Sequence, residues 1–211
     1  LPFHIGRSWE DDLRRAIALD VPHISLYGLT VEPGTQLGRA VRKGQESAVD
    51  EDQYQIEFLL ANEVLTASGY RHYEVSNFAR PGFESRHNAV YWAGEPYLGL
   101  GNSAHSFAPP VRRWNLHSWE DYQAAVHAAA SPEADREILD EAATRLERVW
   151  LGLRTIDGLA EPEAGTEQAR LLNDWVERGL ALRTEERFAL TPEGWLLLDQ
   201  LAVEYDMSYS G

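Results

Sequence analysis

Cysteine is absent from this chain, and its absence excludes several kinds of site. Because none of the 211 residues is a cysteine, the chain can form no disulfide, and no thiolate can hold zinc or an iron–sulfur cluster. Lysine is nearly absent too, since Lys43 is the only lysine among nineteen basic residues. Any metal or cofactor bound within the chain must therefore be held without cysteine.

Positive charge and long apolar runs are also scarce. The formal net charge of −15 would repel phosphate, so nucleic acid is not an expected partner. No run reaches the roughly 18 residues of a membrane span, and no signal peptide is recognised. These features predict a cytoplasmic protein without membrane insertion. The first residue is Leu1, and Leu1–Phe3 resembles the end of a strand, so we expect the chain to be part of something longer.

What the chain does contain predicts a folded α/β protein. Hydrophobic residues make up 44% and aromatic residues 10%, enough for one large domain or two small ones. Caps and apolar periodicity predict helices from Ser8 to about Asp20 and over Asp50–Ser68, each followed by a short apolar strand, over His23–Val31 and Arg71–Val75. Alternating helices and strands predict a parallel sheet with crossover helices.

The rest of the chain predicts a less regular segment and then a helical region. Residues 76–115 have little periodicity, with short strands expected near Tyr97–Gly101 and Arg112–Asn115, and such long irregular segments are usually functional. The predicted boundary lies near Ser131, which gives domains 1–130 and 131–211. In the second domain, helices over 135–153 and 166–178, a hairpin over 180–190 and a last helix resemble a winged-helix unit.

The segment from Arg86 to Trp92 carries the chemistry that we consider most informative. If it is helical, His87 and Tyr91 share one face, and Asn88 and Trp92 share the neighbouring one. A neutral imidazole can bind iron, and flat aromatic rings can stack on a flat macrocycle. The alternative is a packed or capping histidine, which is commoner among aromatic residues than a ligand.

Arginine is concentrated in the same part of the sequence. Arg80, Arg86, Arg112 and Arg113 fall in a stretch that is rich in arginine and histidine and poor in acid. Because arginine pairs bidentately with carboxylates, these side chains are candidates to bind the propionates of a porphyrin.

Glycines at 99 and 101 with Ala104 match a dinucleotide fingerprint in spacing alone. That interpretation is rejected, because Pro109 and Pro110 follow where a helix should begin. Glycine at a strand end instead allows close backbone approach to a ligand such as adenosylmethionine, and a tight turn is the alternative. Polar residues also end the predicted strands, which is where parallel sheets place ligands: Thr30, Glu32, Glu74 and Asn77.

Several of these segments together resemble one family. Residues 8–13, 23–35, 70–82 and 97–106 are similar, in this order, to segments of the HemN-like radical S-adenosylmethionine proteins. The resemblance covers nearly the whole chain and is weakest after about Ala130, where it implies the family's carboxy-terminal domain. It implies that this chain is the later part of an incomplete (β/α) barrel with parallel strands, followed by that helical domain.

The resemblance also implies a function. His-Asn-x-x-Tyr-Trp, here His87–Trp92, is typical of the HemW type, which implies a chaperone that binds heme and delivers it to hemoproteins, including respiratory, membrane-bound clients. His87 is then expected to bind the heme iron, with Asn88, Tyr91 and Trp92 beside it. Thr30, Gly101 and His105 are expected near adenosylmethionine.

One departure from the family bears on activity. The three cysteines that hold the family's [4Fe-4S] cluster are not in this chain, so it is expected not to cleave adenosylmethionine alone. Two other functions stay open: oxygen-independent oxidation of coproporphyrinogen III, and an acidic interaction domain without a small-molecule ligand.

Overall fold

The structure is a computed structural model that describes residues 8–47, 50–184 and 186–210. The chain forms two compact units. Unit one comprises Leu1–Glu84 with Thr191–Leu196, and unit two comprises Ser85–Leu190 with Leu197–Gly211. The predicted strand end at Leu1–Phe3 lies outside the described residues. No helix in the described ranges is long and apolar enough to cross a membrane.

Unit one packs helices against a small sheet. Its elements are α1 (Trp9–Ala18), β1 (His23–Ser25), α2 (Gln36–Arg42), α3 (Glu51–Ala67), β2 (Arg71–Glu74) and β3 (Asn77–Ala79). The predicted cap of α1 is present, since the side chain of Ser8 accepts a backbone N–H group at the start of that helix, and the side chain of Asp50 does the same for α3. The core of this unit consists of Leu13, Ile24, Ala61, Leu65, Tyr70 and Phe78.

The predicted parallel sheet is wrong for the strands that the structure describes. β3 lies between β1 and β2 and pairs antiparallel with both, so that Ala79 is opposite His23 on one side and Arg71 on the other. The cause is a tight turn at Val75 and Ser76, after which the chain returns along β2. β1 and β2 run in the same direction, as expected, but they do not pair with each other, because β3 lies between them in the sheet.

Unit two contains two further antiparallel sheets. Its first elements are α4 (Arg86–Trp92), β4 (His105–Ala108), β5 (Val111–Asn115), α5 (Trp119–His127) and β6 (Glu133–Ile138), with sheet order β4-β5-β6. They are followed by α6 (Glu141–Leu153), β7 (Leu159–Ala160), α7 (Glu167–Glu177), β8 (Ala181–Arg183) and β9 (Arg187–Leu190), with sheet order β7-β9-β8. Helix α8 (Pro192–Trp195) belongs to unit one, and α9 (Leu198–Met207) returns to unit two.

The helix predicted over Asp135–Leu153 is only partly correct. Its first residues form β6, where Glu137 pairs with Arg112 of β5, and the helix begins after Asp140, whose side chain accepts the N–H of Ala143 at 2.8 Å. The β5–β6 pairing crosses the predicted boundary near Ser131, and the compact units divide the chain elsewhere. The assignment of residues 1–130 and 131–211 to two family domains stays a prediction.

The predicted carboxy-terminal hairpin is confirmed. β8 and β9 pair antiparallel, and β7 adds a third strand to the other edge of β9. Trp175 of α7 and Phe188 of β9 are fully buried beside Tyr205 of α9, with ring centroids 5.5 to 6.4 Å apart. The hairpin and the helices around it therefore share one aromatic core.

Candidate functional site

Helix α4 in unit two carries the predicted heme-binding motif. Ser85 begins this helix, because its Oγ accepts the backbone N–H of Asn88 at 3.2 Å. His87 is exposed, and its Nε2 lies 3.1 Å from the hydroxyl of Tyr91, one turn later. The two rings meet edge to face with their centroids 5.0 Å apart. The segment is therefore helical, and the two side chains meet as helical spacing would have them do.

The neighbouring face of α4, which carries Asn88 and Trp92, is partly covered by another side chain of unit two. The guanidinium of Arg154 lies over the indole of Trp92, with Cζ 4.4 Å from the ring centroid. The indole Nε1 is buried without a hydrogen-bond partner in the part of the chain that the structure describes. Asn88 is half-buried. The guanidinium of Arg154 thus covers one face of the Trp92 indole, so only the other face could stack on a ligand.

The candidate arginines differ in how far their charges are already neutralised. Arg86 is exposed and makes no ion pair with the described residues. Arg80, in unit one, pairs with Asp20 at 2.5 Å and lies over the ring of Tyr70. Arg86 is therefore the more available of the two predicted propionate ligands.

The arginines of β5 are paired with carboxylates. Arg112 contacts Glu137 at 2.9 Å and also Glu147, and Arg113 lies 3.7 Å from Glu133. Partial burial opposes the charge of Arg112, but its hydrogen bonds to the two glutamates outweigh that effect and raise its pKa. The charges of Arg112 and Arg113 are therefore already paired with carboxylates of β6 and α6, and a ligand would have to compete with those ion pairs.

A cavity of about 710 Å³ lies beside Tyr91 in unit two, within the size range of small-molecule sites. Its walls are mostly apolar and aromatic: Tyr91, Tyr97, Phe107, Leu139, Ala143, Leu146, Trp150, Leu151, Ala202 and Val203, with Gly94. Its charged residues are Arg112, Glu147 and Asp199. Sequence reasoning missed this cavity, because α6 and α9 supply its walls from far along the chain and no local motif marks them.

The glycine-rich strand end approaches its own chain. A Cβ on Gly99 would lie 2.0 Å from the carbonyl oxygen of His105, so glycine is needed there for backbone packing. The N–H of Gly101 donates to the hydroxyl of Tyr122 at 3.1 Å, and its carbonyl accepts from Asn115 at 2.8 Å. The sequence predicted close backbone approach to a ligand; the close approach that the structure shows is that of Gly99 to β4.

The remaining predicted ligand-site residues are distributed over both units. His105 is exposed on β4 near Trp114, with ring centroids 5.7 Å apart, and Thr30 is exposed in the loop after β1. Glu74 is fully buried and accepts a hydrogen bond from Asn77. Ser25 extends this buried group by donating to the Asn77 side chain at 2.5 Å. These contacts hold the first sheet together and do not by themselves define a ligand.

Comparison with known proteins relates the chain to one family, although no family model matches it. It is 37% identical over 194 residues to the "Heme chaperone HemW" of Mycobacterium tuberculosis (strain CDC 1551 / Oshkosh), covering 90% of this chain and 50% of that protein. It is 30% identical over 205 residues to the protein of the same name from Bacillus subtilis (strain 168), covering 93% and 54%. Among solved structures, the radical SAM enzyme coproporphyrinogen III oxidase (HemN) from Escherichia coli matches with a TM-score of 0.68 at 19% identity, covering 98% of this chain and 52% of that one.

The mixed α/β fold thus resembles that of the HemN structure. The chain belongs to the family of proteins named heme chaperone HemW, which confirms the resemblance that the sequence motifs indicated. The chain spans about half the length of the curated relatives it matches.

Proposed function

We propose that this chain is the heme-binding part of a heme chaperone, a protein that binds heme and transfers it to recipient hemoproteins. The observation that carries the proposal is its homology to proteins named heme chaperone HemW. The geometry of α4 supports it, because the side chain of His87 is exposed and so accessible to a ligand. Its partner Tyr91 borders a cavity of about 710 Å³.

In this proposal heme lies against α4, with its iron at the His87–Tyr91 pair. His87 was the iron ligand that the sequence suggested, with Asn88 and Trp92 on the adjoining face. Arg86 is well suited to a propionate because it is exposed and unpaired among the described residues. Arg80 would first have to give up its ion pair with Asp20, so we assign it the smaller part in propionate binding.

The family implies adenosylmethionine and a [4Fe-4S] cluster as cofactors. This chain has no residues that fit the cluster, because cysteine thiolates are its usual ligands and the sequence contains none. Nor do three or more metal-binding side chains cluster anywhere in the described ranges. No step proposed here uses the cluster. Contact of Thr30, Gly101 and His105 with adenosylmethionine rests on the family resemblance alone.

The proposal extends to the domains of the chain, the recipient proteins and the location in the cell. Residues 1–130 would supply the later part of an incomplete radical-SAM barrel, and residues 131–211 a winged-helix-like domain. The recipients would be cytoplasmic or membrane-bound hemoproteins, with the chaperone itself in the cytoplasm and without a nucleic-acid partner.

A heme titration and a transfer assay test this function. Ferric heme is titrated into the full-length protein, and its passage to a heme-free acceptor hemoprotein is followed by absorbance. His87→Ala is expected to weaken binding or to change the heme spectrum. His127→Ala removes another exposed histidine from a helix of unit two and is expected to change neither. Unchanged binding in His87→Ala would remove His87 from the site, and a wild-type protein that neither binds nor transfers heme would refute the proposal.

Oxidation of coproporphyrinogen III is the alternative. The likeness to the HemN structure is at 19% identity and supports a shared fold but no shared reaction. An anaerobic assay with reconstituted cluster and adenosylmethionine distinguishes the two. Conversion of two propionates to vinyl groups would contradict a purely chaperone role.

A further inference from the structure

The hydrogen bond between His87 and Tyr91 leaves the two side chains unequal as iron ligands. Nε2 is the imidazole nitrogen farthest from the backbone, and it lies 3.1 Å from the Tyr91 hydroxyl. A bulky macrocycle bound at Nε2 would have to displace that hydroxyl. The other nitrogen, Nδ1, is bonded to Cγ, the ring atom that carries Cβ, and is hence closer to the backbone of α4, where a macrocycle has less room. The geometry therefore does not favour the imidazole as the atom that meets iron.

Tyr91 is better placed, because it belongs to the wall of the cavity. Its ring borders that space together with Tyr97, and the two rings meet edge to face with centroids 4.6 Å apart. His87 does not line the cavity. Phe107 and Trp150 contribute further aromatic walls, which suit a flat macrocycle. Of the two hydrogen-bonded side chains, Tyr91 thus borders the cavity that could hold the macrocycle, and Tyr91 is the one that offers an oxygen ligand.

We infer that Tyr91, rather than His87, supplies the axial ligand to ferric heme, and that His87 is a positioning residue that takes the phenol's proton. The inference rests on the proposed function, since it concerns the same heme site. Tyrosinate is a known protein ligand of heme iron. A hydrogen bond from a neighbouring side chain is the usual way in which proteins orient and tune such a ligand.

Binding of ferric heme to Tyr91 needs no oxidant or reductant. As the bond between iron and the Tyr91 oxygen forms, the phenolic O–H bond breaks and the proton passes to Nε2 of His87, 3.1 Å away. The iron remains ferric and the imidazole becomes imidazolium. The cation formed, at His87, directly follows Arg86 in the sequence, and both side chains are exposed, so solvent screens the two charges from each other.

Absorbance and resonance Raman spectra of ferric heme bound to the full-length protein test this assignment. The variants are Tyr91→Phe, which removes only the oxygen, and Tyr209→Phe, which removes the same atom from an exposed tyrosine of unit two that does not line the cavity. Wild type and Tyr209→Phe are expected to show the charge-transfer band and vibrations of an iron-bound phenolate. Tyr91→Phe is expected to lose both and to bind heme more than about tenfold more weakly. His87→Ala is expected to keep the phenolate signature with reduced affinity.

The outcomes separate this inference from the proposed function. A wild-type spectrum of imidazole ligation that Tyr91→Phe leaves intact and His87→Ala abolishes would overturn the inference while the heme chaperone stands. Absence of heme binding by the wild type would overturn both. Thermal unfolding of each variant, monitored by circular dichroism, verifies that a lost signature does not reflect a lost fold.

Discussion

His72 lies stacked on Phe78 in the core of unit one, with ring centroids 3.8 Å apart and planes 15° from parallel.. Its side chain is only 6% exposed, and Nδ1 lies 3.0 Å from the side-chain oxygen of Asn62. Burial disfavours the charged imidazolium and lowers the pKa of His72 to about 4, although a hydrogen bond to the Val75 carbonyl opposes this shift. The neutral ring is thus part of the core.

This burial predicts a loss of stability in acid. In the unfolded chain His72 takes up a proton near its usual pKa of about 6.5, whereas the folded protein resists protonation down to about 4. The free energy of unfolding should therefore fall by about 1.4 kcal/mol per pH unit between these values because of this residue, with no further contribution below them. Urea unfolding at several pH values measures the slope.

His72→Gln is the matched variant for that slope, since it keeps an amide near Asn62 but cannot titrate in this range. It is expected to be less stable than wild type at pH 7.5 and to lose stability less steeply between pH 6.5 and 4. Equal slopes in the two proteins would show that His72 is not buried as a neutral ring.

Capping of α4 is expected to matter for heme affinity. Ser85→Ala removes the acceptor for the Asn88 N–H and should cost about 1 kcal/mol of stability while loosening the helix that carries the heme motif. We expect heme binding to weaken severalfold. Ser118→Ala removes the equivalent cap of α5 and should lower stability by a similar amount without changing heme affinity. A parallel loss of affinity in both variants would argue against a site on α4.

Gly99 should tolerate no side chain. Gly99→Ala would place Cβ 2.0 Å from the carbonyl oxygen of His105, so the backbone around Tyr97 and β4 must separate, at a cost of about 2 kcal/mol or more. Gly34→Ala is the control, since its Cβ meets nothing within 4 Å, and it should change stability little. Denaturant midpoints compare the two, and equal midpoints would contradict the close approach.

The cation over Trp92 is expected to stabilise unit two. Arg154 lies 4.4 Å from the Trp92 ring centroid and 5.0 Å from that of Trp150, so Arg154→Ala should cost about 1 to 2 kcal/mol and alter tryptophan fluorescence. Arg170→Ala removes an exposed arginine whose partner is three residues away and should cost less than about 0.5 kcal/mol. Similar costs for both would mean that the stacking contributes nothing.

Local signals in the sequence predicted local structure well. Ser8 was recognisable as the cap of α1, and its oxygen accepts the N–H of Asp11, three residues later. The pairing of His87 with Tyr91 followed from helix periodicity once α4 was taken as helical. These features depend on neighbours along the chain, which a sequence displays directly.

Contacts between residues that are far apart in the sequence could not be predicted from local signals of this kind. Strand β3 was missed because Asn77–Ala79 follows a tight turn and is too short for an alternating pattern to stand out. The cavity was missed because Tyr91 and Ala202 of its wall are more than a hundred residues apart in sequence. The covering of Trp92 by Arg154 depends likewise on how α6 ends beside α4.

The most direct test of the account is the affinity of the full-length protein for ferric heme when both members of the α4 pair are changed. The double variant His87→Ala with Tyr91→Phe removes the imidazole and the phenol but leaves Arg86 and the aromatic cavity walls. We predict that it folds as the wild type does and that its heme affinity is lower by more than about tenfold. Wild-type affinity in the double variant would contradict a heme site on α4.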